Sequence, residues 1–453
     1  MKGLIFTYGL TYGGAFVSLF NPFIGLLIYV SFSIIRPEAM WHWSVPPGNY
    51  SRIIAIALLF GWMLHGLGRW DFGRARFTVY AFSGYMFWAV VSGMQADNQN
   101  AAWGFIELLA KIFIPFLVGI TLIDSVDKLK QLAWVIVLSQ GYVAFELNMS
   151  YLSQGGMFLH YFRHNGFGGM DNNCVSIAMA AGAGFAFFLG MTSNRWWQKG
   201  IAFGCTLLMV HVILFAFSRG GMLALIFSGV VAFILLPKRP MYFLAYALII
   251  VLGLRLAGPE VQQRFMTVFV DAEERDESAQ SRLDMWEDCV DVMKKNPIFG
   301  VGPDHWPLIA PQYGWPHGKE AHSLWLQIGA ELGVVGLLLL LTYYLSCIAR
   351  LWPLTRTTTD VADPWLRGAA RMVILGLVGF MLSAQFVSLE GLELPYYIAM
   401  FGAGAQKVNS LMQNSDWDES TLQSGHFPFP WQRELYCNGT LDAQIHRKVN
   451  GSP

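Results

Sequence analysis

Apolar runs long enough to cross a membrane recur along the whole chain, and each can span a bilayer core of about 30 Å as a helix of about 20 residues. Only 13% of the 453 residues are charged, whereas soluble domains carry about 25%. The composition therefore excludes a soluble enzyme. We predict an all-α fold, a polytopic membrane bundle of roughly 12 or 13 transmembrane helices with one large helical loop.

The predicted organisation follows the polar interruptions between the apolar runs. We expect an N-terminal transmembrane bundle over 1–257, a loop subdomain over 258–322, C-terminal transmembrane helices over 323–407 and a polar cytoplasmic tail over 408–453. Asn21-Pro22 interrupts the first apolar stretch, which can form two crossings or one bent unit. The side on which the N-terminus lies depends on this choice and stays open here.

The positions of the basic residues predict the orientation of the chain, because Lys and Arg gather in the cytoplasmic connections of membrane proteins. Here they gather in five short connections, at Arg69, Arg74, Arg76, Lys128, Lys130, Arg195, Lys199, Lys238, Arg239, Arg350, Arg356, Arg367 and Arg371. These connections alternate with 95–104, 148–171, 258–322 and 389–394, which are poorer in basic residues or much longer. The long loop 258–322 is therefore predicted to lie outside the cytoplasm.

Within this loop, Ser281–Lys295 has the pattern of an amphipathic helix. Apolar residues recur at spacings of three and four, at Leu283, Trp286, Val290 and Met293. Arg282 falls at the edge of the apolar face, where its guanidinium needs an anionic partner. The competing interpretation is an ordinary ion pair with Asp284 or Glu287.

A histidine marks the start of the next apolar run. His322 lies in the polar segment Glu320–Gln327, directly before a membrane-grade helix. An ionisable residue at such a place is costly and is a functional candidate by default. The alternative is a helix-end histidine capped by a backbone carbonyl. Glu331, nine residues further on, falls on the opposite side of an ideal helix and is predicted to be paired inside the bundle.

Two further arginines stand at the predicted outer ends of spans. Arg219 lies in Ser218–Gly221, with glycines that leave room around it, and Arg163 precedes Asn173 at the entrance to another span. Both could instead anchor to lipid phosphates. The glycine-rich turn Phe299–Pro303 predicts a close backbone approach, although this signal is weak by itself.

These residues favour one kind of chemistry. Arginine forks bind phosphate oxygens and stay charged at any pH, and a neutral imidazole can take a proton from an attacking hydroxyl. We expect no clustered acid pair, no metal-ligand set and no cofactor, and the five scattered cysteines indicate neither disulfides nor zinc. The pattern suits displacement of a diphosphate by an alcohol at headgroup depth, with the arginines stabilising the leaving group.

The same motifs resemble the O-antigen ligase family, which groups O-antigen ligases, related polymerases and protein O-oligosaccharyltransferases. The similarity covers about 160–340 and rests on Ser218–Gly221, Ser281-Arg282 with Trp286, Phe299–Gly302 and Ala321–Gly336. More weakly, the chain is similar to the O-glycosylation ligases of exosortase-type systems. One departure is Ser323, where the family often has asparagine after its histidine, and this leaves ligase, polymerase and protein-glycan transferase open.

The resemblance implies an inverting, metal-independent glycosyltransferase in the bacterial inner membrane, with its active site on the periplasmic face. His322, Arg219 and Arg282 stand at the family's catalytic positions. We also expect Arg163, Asn173 and Arg264 to bind substrate. The implied donor is an undecaprenyl-diphosphate-linked glycan and the implied acceptor is lipid A-core or another hydroxyl, in a setting of membrane lipids and without nucleic acid. A flippase or transporter is the non-enzymatic alternative.

Overall fold

The computed structural model describes residues 2–168, 170–237, 239–242, 244, 277–389 and 391–424, and these confirm the predicted all-α class. The longer helices are α1 (Lys2–Phe20, with a π-helical turn at Gly9–Gly13), α2 (Pro22–Ile35), α3 (Tyr50–Leu64), α4 (Arg76–Gly93), α5 (Gln99–Leu122), α6 (Val126–Gln154), α7 (Gly156–Asn165), α8 (Asn172–Thr192), α9 (Trp196–Phe215), α10 (Arg219–Leu235), α11 (Glu277–Lys295), α12 (Leu324–Leu351), α13 (Pro364–Ser383) and α14 (Leu394–Ser424).

The described helices form a polytopic membrane bundle, as predicted. Eight helical stretches are long and apolar enough to cross a membrane, when α2 is counted together with the short helix after it as Pro22–Met40, and α3 and α10 are shorter apolar helices. Large apolar side chains such as Phe87 and Leu207 are 68% and 69% exposed on the bundle surface, where lipid is the matching solvent. The span predicted over 241–257 lies outside the described residues, apart from its first few positions. The number of crossings therefore stays a prediction.

Short polar residues begin many of these helices. Each accepts a hydrogen bond from a backbone N–H of the first turn, which replaces a partner that the helix itself cannot supply. These N-caps are Asn21, Asn98, Ser125, Asp171, Ser218, Ser323 and Asp363.

Helix α8 forms the centre of the bundle. Its most apolar window is 89% buried, compared with 28% for the peripheral α1. Small residues over 178–184 allow neighbouring helices to approach closely, and Gly184 packs directly against Leu375 of α13. The N-terminal end of this central helix carries Asn172 and Asn173, so the packing of α8 fixes the position of the predicted substrate-binding residue Asn173.

The N-terminal stretch forms two antiparallel helices. Gly14 of α1 packs against Ile28 of α2, and Gly3 packs against the Trp41 ring, which follows α2. Arg36, at the end of α2, donates from Nη1 to the carbonyl oxygen of Gly168 at 2.8 Å. The chain thus turns back at Asn21-Pro22 as a helical hairpin, which is the arrangement that two crossings would require.

Basic connections meet at one end of the bundle. Lys407 is fully buried there and donates to the carbonyl oxygens of Arg69 and Ile120, at 2.8 and 2.7 Å. Lys130 lies over the ring of Trp365, 5.9 Å from its centroid. Residues 277–323 lie at the opposite end, which we call the loop end. Arg36 and the connection that contains Gly168 belong to the loop end as well.

The predicted amphipathic helix is confirmed as α11, but its buried face is not the predicted one. Leu283 is 40% exposed, whereas Met285, Cys289 and Val292 are buried. They form a small core of their own with Trp306, Ala310, Ala321 and Ala330. The spacing rule identified the helix and placed its face about a third of a turn away, because the contacts that choose the face come from distant residues.

Helix α12 is interrupted at Gly333, whose φ of 70° and ψ of −177° are outside the helical region. The interruption exposes backbone groups that the loop and α4 then satisfy. The N–H of Val334 donates to the carbonyl of Pro297 at 2.9 Å, and Trp88 Nε1 donates to the carbonyl of Leu332 at 2.9 Å. Irregular backbone at the edge of a membrane helix is tolerated where the protein itself supplies the partners.

Candidate functional site

His322 lies at the loop end, between the buried Ala321 and Ser323, the N-cap of α12. Its φ of 52° is in the left-handed region, which a non-glycine residue adopts at a cost. Such backbone strain persists only where surrounding contacts impose it, and it is common at functional sites. The side chain is half-buried.

The surroundings of His322 keep its imidazole neutral. Burial is the main cause that lowers its pKa, and the charges of Arg282 and Lys319 lower it further, to about 4, although Asp171 opposes the change. Because the ring stands at the N-terminus of α12, the helix dipole also disfavours the imidazolium form. At neutral pH the ring is therefore a proton acceptor.

Arg282 projects from α11 beside the buried face of that helix and is half-buried. Its charge is close enough to His322 to lower the pKa of the imidazole. The structure thus brings together two of the three predicted catalytic residues.

A tryptophan on α11 holds the backbone next to the histidine. Trp286 Nε1 donates to the carbonyl oxygen of Ala321 at 3.0 Å, and the Trp286 ring lies 6.4 Å from the ring of Phe386, measured between centroids. This hydrogen bond connects the helix that carries Arg282 to the residue directly before His322.

Phe386, between α13 and α14, links these elements to Arg219. Its neighbours Ala384 and Val387 accept hydrogen bonds from the N–H of Leu324, at 2.9 and 3.1 Å. Gly220 faces Phe386 so closely that a methyl group there would be 2.9 Å from the Phe386 Cβ. Arg219, the first residue of α10, is therefore anchored against the same loop as the backbone that follows His322.

Asn173 lies on the turn that begins α8. It donates from Nδ2 to Asp171 Oδ2 at 3.2 Å, and Asn172 donates to the carbonyl of Ala216, just before α10, at 2.8 Å. The negative charge of Asp171 acts on His322. Asn173 is thus brought to the rim of the site through Asp171.

Acidic side chains also act on one another near the site. Partial burial raises the pKa of Glu320, and the nearby charges of Asp171 and Asp304 raise it further. The signals were present in the sequence, since Asp171 precedes Asn172 and Glu320 stands two residues before His322. In the part of the chain that the structure describes, no three His, Cys, Asp or Glu side chains come together as a metal site would require.

The glycine-rich turn 299–303 packs against the broken segment of α12. The N–H groups of Val301 and Gly302 donate to the carbonyls of Ala330 and Glu331, at 3.1 and 2.9 Å. Gly300 has a φ of 68°, and a Cβ there would collide with the Glu331 carbonyl. The predicted close backbone approach is confirmed, and its partner is the chain itself.

The prediction for Glu331 is corrected. Its carboxylate accepts from the N–H groups of Asp304 and Trp306, at 2.9 and 3.1 Å, and from Gln327 Nε2 at 3.2 Å. Its described partners are thus the loop backbone and the amide of Gln327 on its own helix, rather than a residue of a neighbouring helix. The helical-wheel argument failed because His322 precedes α12 and does not share its geometry.

Two predicted substrate-binding residues are not placed at the site. Arg163 lies on α7, a helix in the stretch 148–171 that the sequence analysis treated as a connection, and only its backbone is described. Arg264 lies outside the described residues. Their predicted roles stay predictions.

Comparison with known families adds two matches. Residues 204–341 match the family described as O-Antigen ligase, and residues 1–189 match a family of unknown function (DUF5935). No protein of curated function matches the chain in sequence. The first match contains Arg219, Arg282 and His322, whereas Arg163 and Asn173 fall within the second.

Proposed function

We propose that this chain, whose residues 204–341 match the O-antigen ligase family, transfers a glycan from undecaprenyl diphosphate to an acceptor hydroxyl. The family supports glycosyl transfer of the ligase or polymerase type. The identity of the donor, the identity of the acceptor and the roles of the residues are what we propose here.

One observation carries it: the half-buried His322 lies within electrostatic range of Arg282, on a loop that is bound to the same helix through the hydrogen bond from Trp286 to the Ala321 carbonyl. A base that accepts a proton and a permanent cation that holds phosphate oxygens are the two groups that this transfer needs. Arg219 comes to the same loop through Phe386 and would supply a second positive charge.

In the proposed step, His322 accepts the proton of the acceptor hydroxyl while the oxygen attacks the anomeric carbon of the donor sugar. The new carbon–oxygen bond forms as the bond between that carbon and the diphosphate breaks, with inversion. Undecaprenyl diphosphate leaves with the bonding electrons, and Arg282 and Arg219 stabilise its charge. The proton then passes from His322 to water. The arginines take the charge-stabilising role, so the proposed step is metal-independent.

The position in the membrane is part of the same proposal. Basic connections meet at the end opposite the loop end, and such connections face the cytoplasm. The loop end would then face the periplasm, with the chain in the bacterial inner membrane and the polyprenyl tail among its helices.

Ser323 does not decide which acceptor is used. Its Oγ accepts from the N–H of Leu326 at 3.5 Å as the N-cap of α12, and asparagine serves equally well at an N-cap. We favour lipid A-core as the acceptor. A polymerase would use a second lipid-linked glycan, and a protein O-oligosaccharyltransferase would use a protein hydroxyl.

The test uses the purified full chain in liposomes with a synthetic undecaprenyl-diphosphate-linked oligosaccharide and lipid A-core. Release of undecaprenyl diphosphate and a product of one size would support a ligase, whereas a ladder of products would indicate a polymerase. His322→Ala should abolish release, and His317→Ala, the same change at an exposed position of the same loop, should not. Full activity of His322→Ala would refute the proposed role. Movement of intact donor across the bilayer without its consumption would favour the flippase.

A further inference from the structure

Two residues within 277–323 have left-handed backbones although neither is glycine. Asp304 has a φ of 56° and His322 a φ of 52°. Each such residue costs about 1–3 kcal/mol and is kept only where its surroundings determine its conformation. Asp304 follows the glycine-rich turn, whereas His322 directly precedes α12. A group that keeps both residues in this conformation must therefore contact both stretches of the loop.

Two buried side chains of α12 make that contact. Gln327 and Glu331 are one helical turn apart and are 3% and 0% exposed. Gln327 Nε2 donates to Glu331 Oε1 at 3.2 Å. Gln327 Oε1 accepts from the N–H of Ala321, the residue before His322, at 3.1 Å. The amide therefore connects the carboxylate to the backbone that carries the histidine.

The carboxylate of Glu331 holds the other segment. Its two oxygens accept from the N–H groups of Asp304 and Trp306, so that with Gln327 it has three donors. A carboxylate can accept about four hydrogen bonds, and this buried group is thus well satisfied. Glu331 and Gln327 together tie both left-handed residues to one turn of α12.

Hydrogen bonds hold the backbone both before and after His322. Gln327 binds the Ala321 N–H and Trp286 binds the Ala321 carbonyl, at 3.1 and 3.0 Å. The N–H of Leu324 is held by the carbonyls of Ala384 and Val387. The Cα of His322 is therefore fixed by contacts two residues or less away.

We infer that Gln327 is the positioning residue of His322: it fixes the Ala321 peptide so that the imidazole stays half-buried beside Arg282. This inference rests on the proposed function, in which His322 accepts the acceptor proton. Position 327 needs one acceptor and one donor in the same side chain. An apolar residue would leave the buried Ala321 N–H without a partner, and a glutamate would bring two carboxylates together.

Gln327→Met keeps the length of the side chain and removes both hydrogen bonds. We expect kcat to fall about tenfold or more, because small misplacements of a reacting group are costly. The KM for the lipid-linked donor should change less than about twofold, since the arginines are untouched. An imidazole that is less firmly held is better hydrated, which raises its pKa. The acid midpoint of the rate should therefore rise from near 4 toward the ordinary value of about 6.5.

Gln406→Met is the matched control. Gln406 is 2% exposed and donates to the carbonyl of Cys347 at 3.4 Å, away from the loop end. The variant Gln406→Met has the same substitution at an equally buried amide, and it should leave the acid midpoint and kcat unchanged. A general loss of stability would affect both variants alike and could not move the midpoint of one alone.

Trp286→Phe provides a second variant that does not alter the membrane helix. It removes the hydrogen bond to the Ala321 carbonyl, keeps an aromatic ring near Phe386 and should raise the same midpoint. If both Gln327→Met and Trp286→Phe keep the wild-type kcat and pH profile, the inference is overturned while the proposed function stands. If His322→Ala itself stays active, the proposed function fails instead. In the His322→Ala background, Gln327→Met should lower any residual rate no further.

Discussion

His322 is kept neutral first by burial and then by the nearby charge of Arg282, which together lower its pKa to about 4. A base works in its unprotonated form, so a lowered pKa extends activity toward acid. We predict a rate that is constant around neutral pH and falls on acidification with a midpoint near 4. The initial rate of undecaprenyl diphosphate release at saturating donor measures this. A midpoint near the ordinary value of about 6.5 would contradict it.

Two substitutions of Arg282 separate its charge from its shape. Arg282→Gln removes a positive charge, so the acid midpoint should rise. Arg282→Lys keeps the charge and the midpoint, but loses the planar fork, and the donor KM should rise about tenfold. Arg350→Lys, at an exposed position near Arg74, is the control and should change neither quantity. Equal KM values for Arg282→Lys and the unsubstituted chain would exclude bidentate binding.

The sequence alone predicted the fold class and the residues that stand out by charge. His322, Arg282 and Arg219 are conspicuous because ionisable groups are expensive in an apolar chain. Phe386 and Gln327 are not, since an aromatic residue and an amide near a membrane helix are ordinary, and only the folded chain puts them beside Gly220 and Ala321.

The predictions that were wrong rested on helical spacing, at positions where a tertiary contact decides which side chains are buried. Leu283 fits the helical spacing and yet is exposed, because the distant Trp306 and Ala321 pack on Met285 instead. Glu331 was assigned a partner in the bundle because an unbroken helix was assumed to include His322. The break at Gly333 and the left-handed His322 are backbone features that spacing cannot reveal.

Gly333→Ala should destabilise the protein. The φ of 70° is costly for alanine, and its Cβ would collide with the carbonyl of Ile298. We expect a loss of about 1–3 kcal/mol in the free energy of unfolding. Tryptophan fluorescence during thermal unfolding measures this loss. Gly104→Ala is the control, because Gly104 is helical and has open space around its Cα. It should be neutral or slightly stabilising. Equal stability losses would contradict the strain argument.

Thiol labelling of intact cells tests the orientation. His317→Cys, at the loop end, should react with a membrane-impermeant maleimide, whereas Asp360→Cys, in the basic connection before α13, should react only after the membrane is opened. Both positions are exposed. Cys205 and Cys437 are first replaced by serine, and Cys174, Cys289 and Cys347 are buried. The reverse pattern would place the loop end in the cytoplasm.

The contact between Leu324 and the carbonyls of Ala384 and Val387 limits how this protein can be recombined with its relatives. The segment that contains Phe386 lies beyond residue 341, where the family match ends. A chimera that exchanges the matched stretch alone would combine a histidine from a relative with the native carbonyls of Ala384 and Val387, which hold the backbone after it. Designers of hybrid transferases would therefore need to graft the stretch 384–389 together with it.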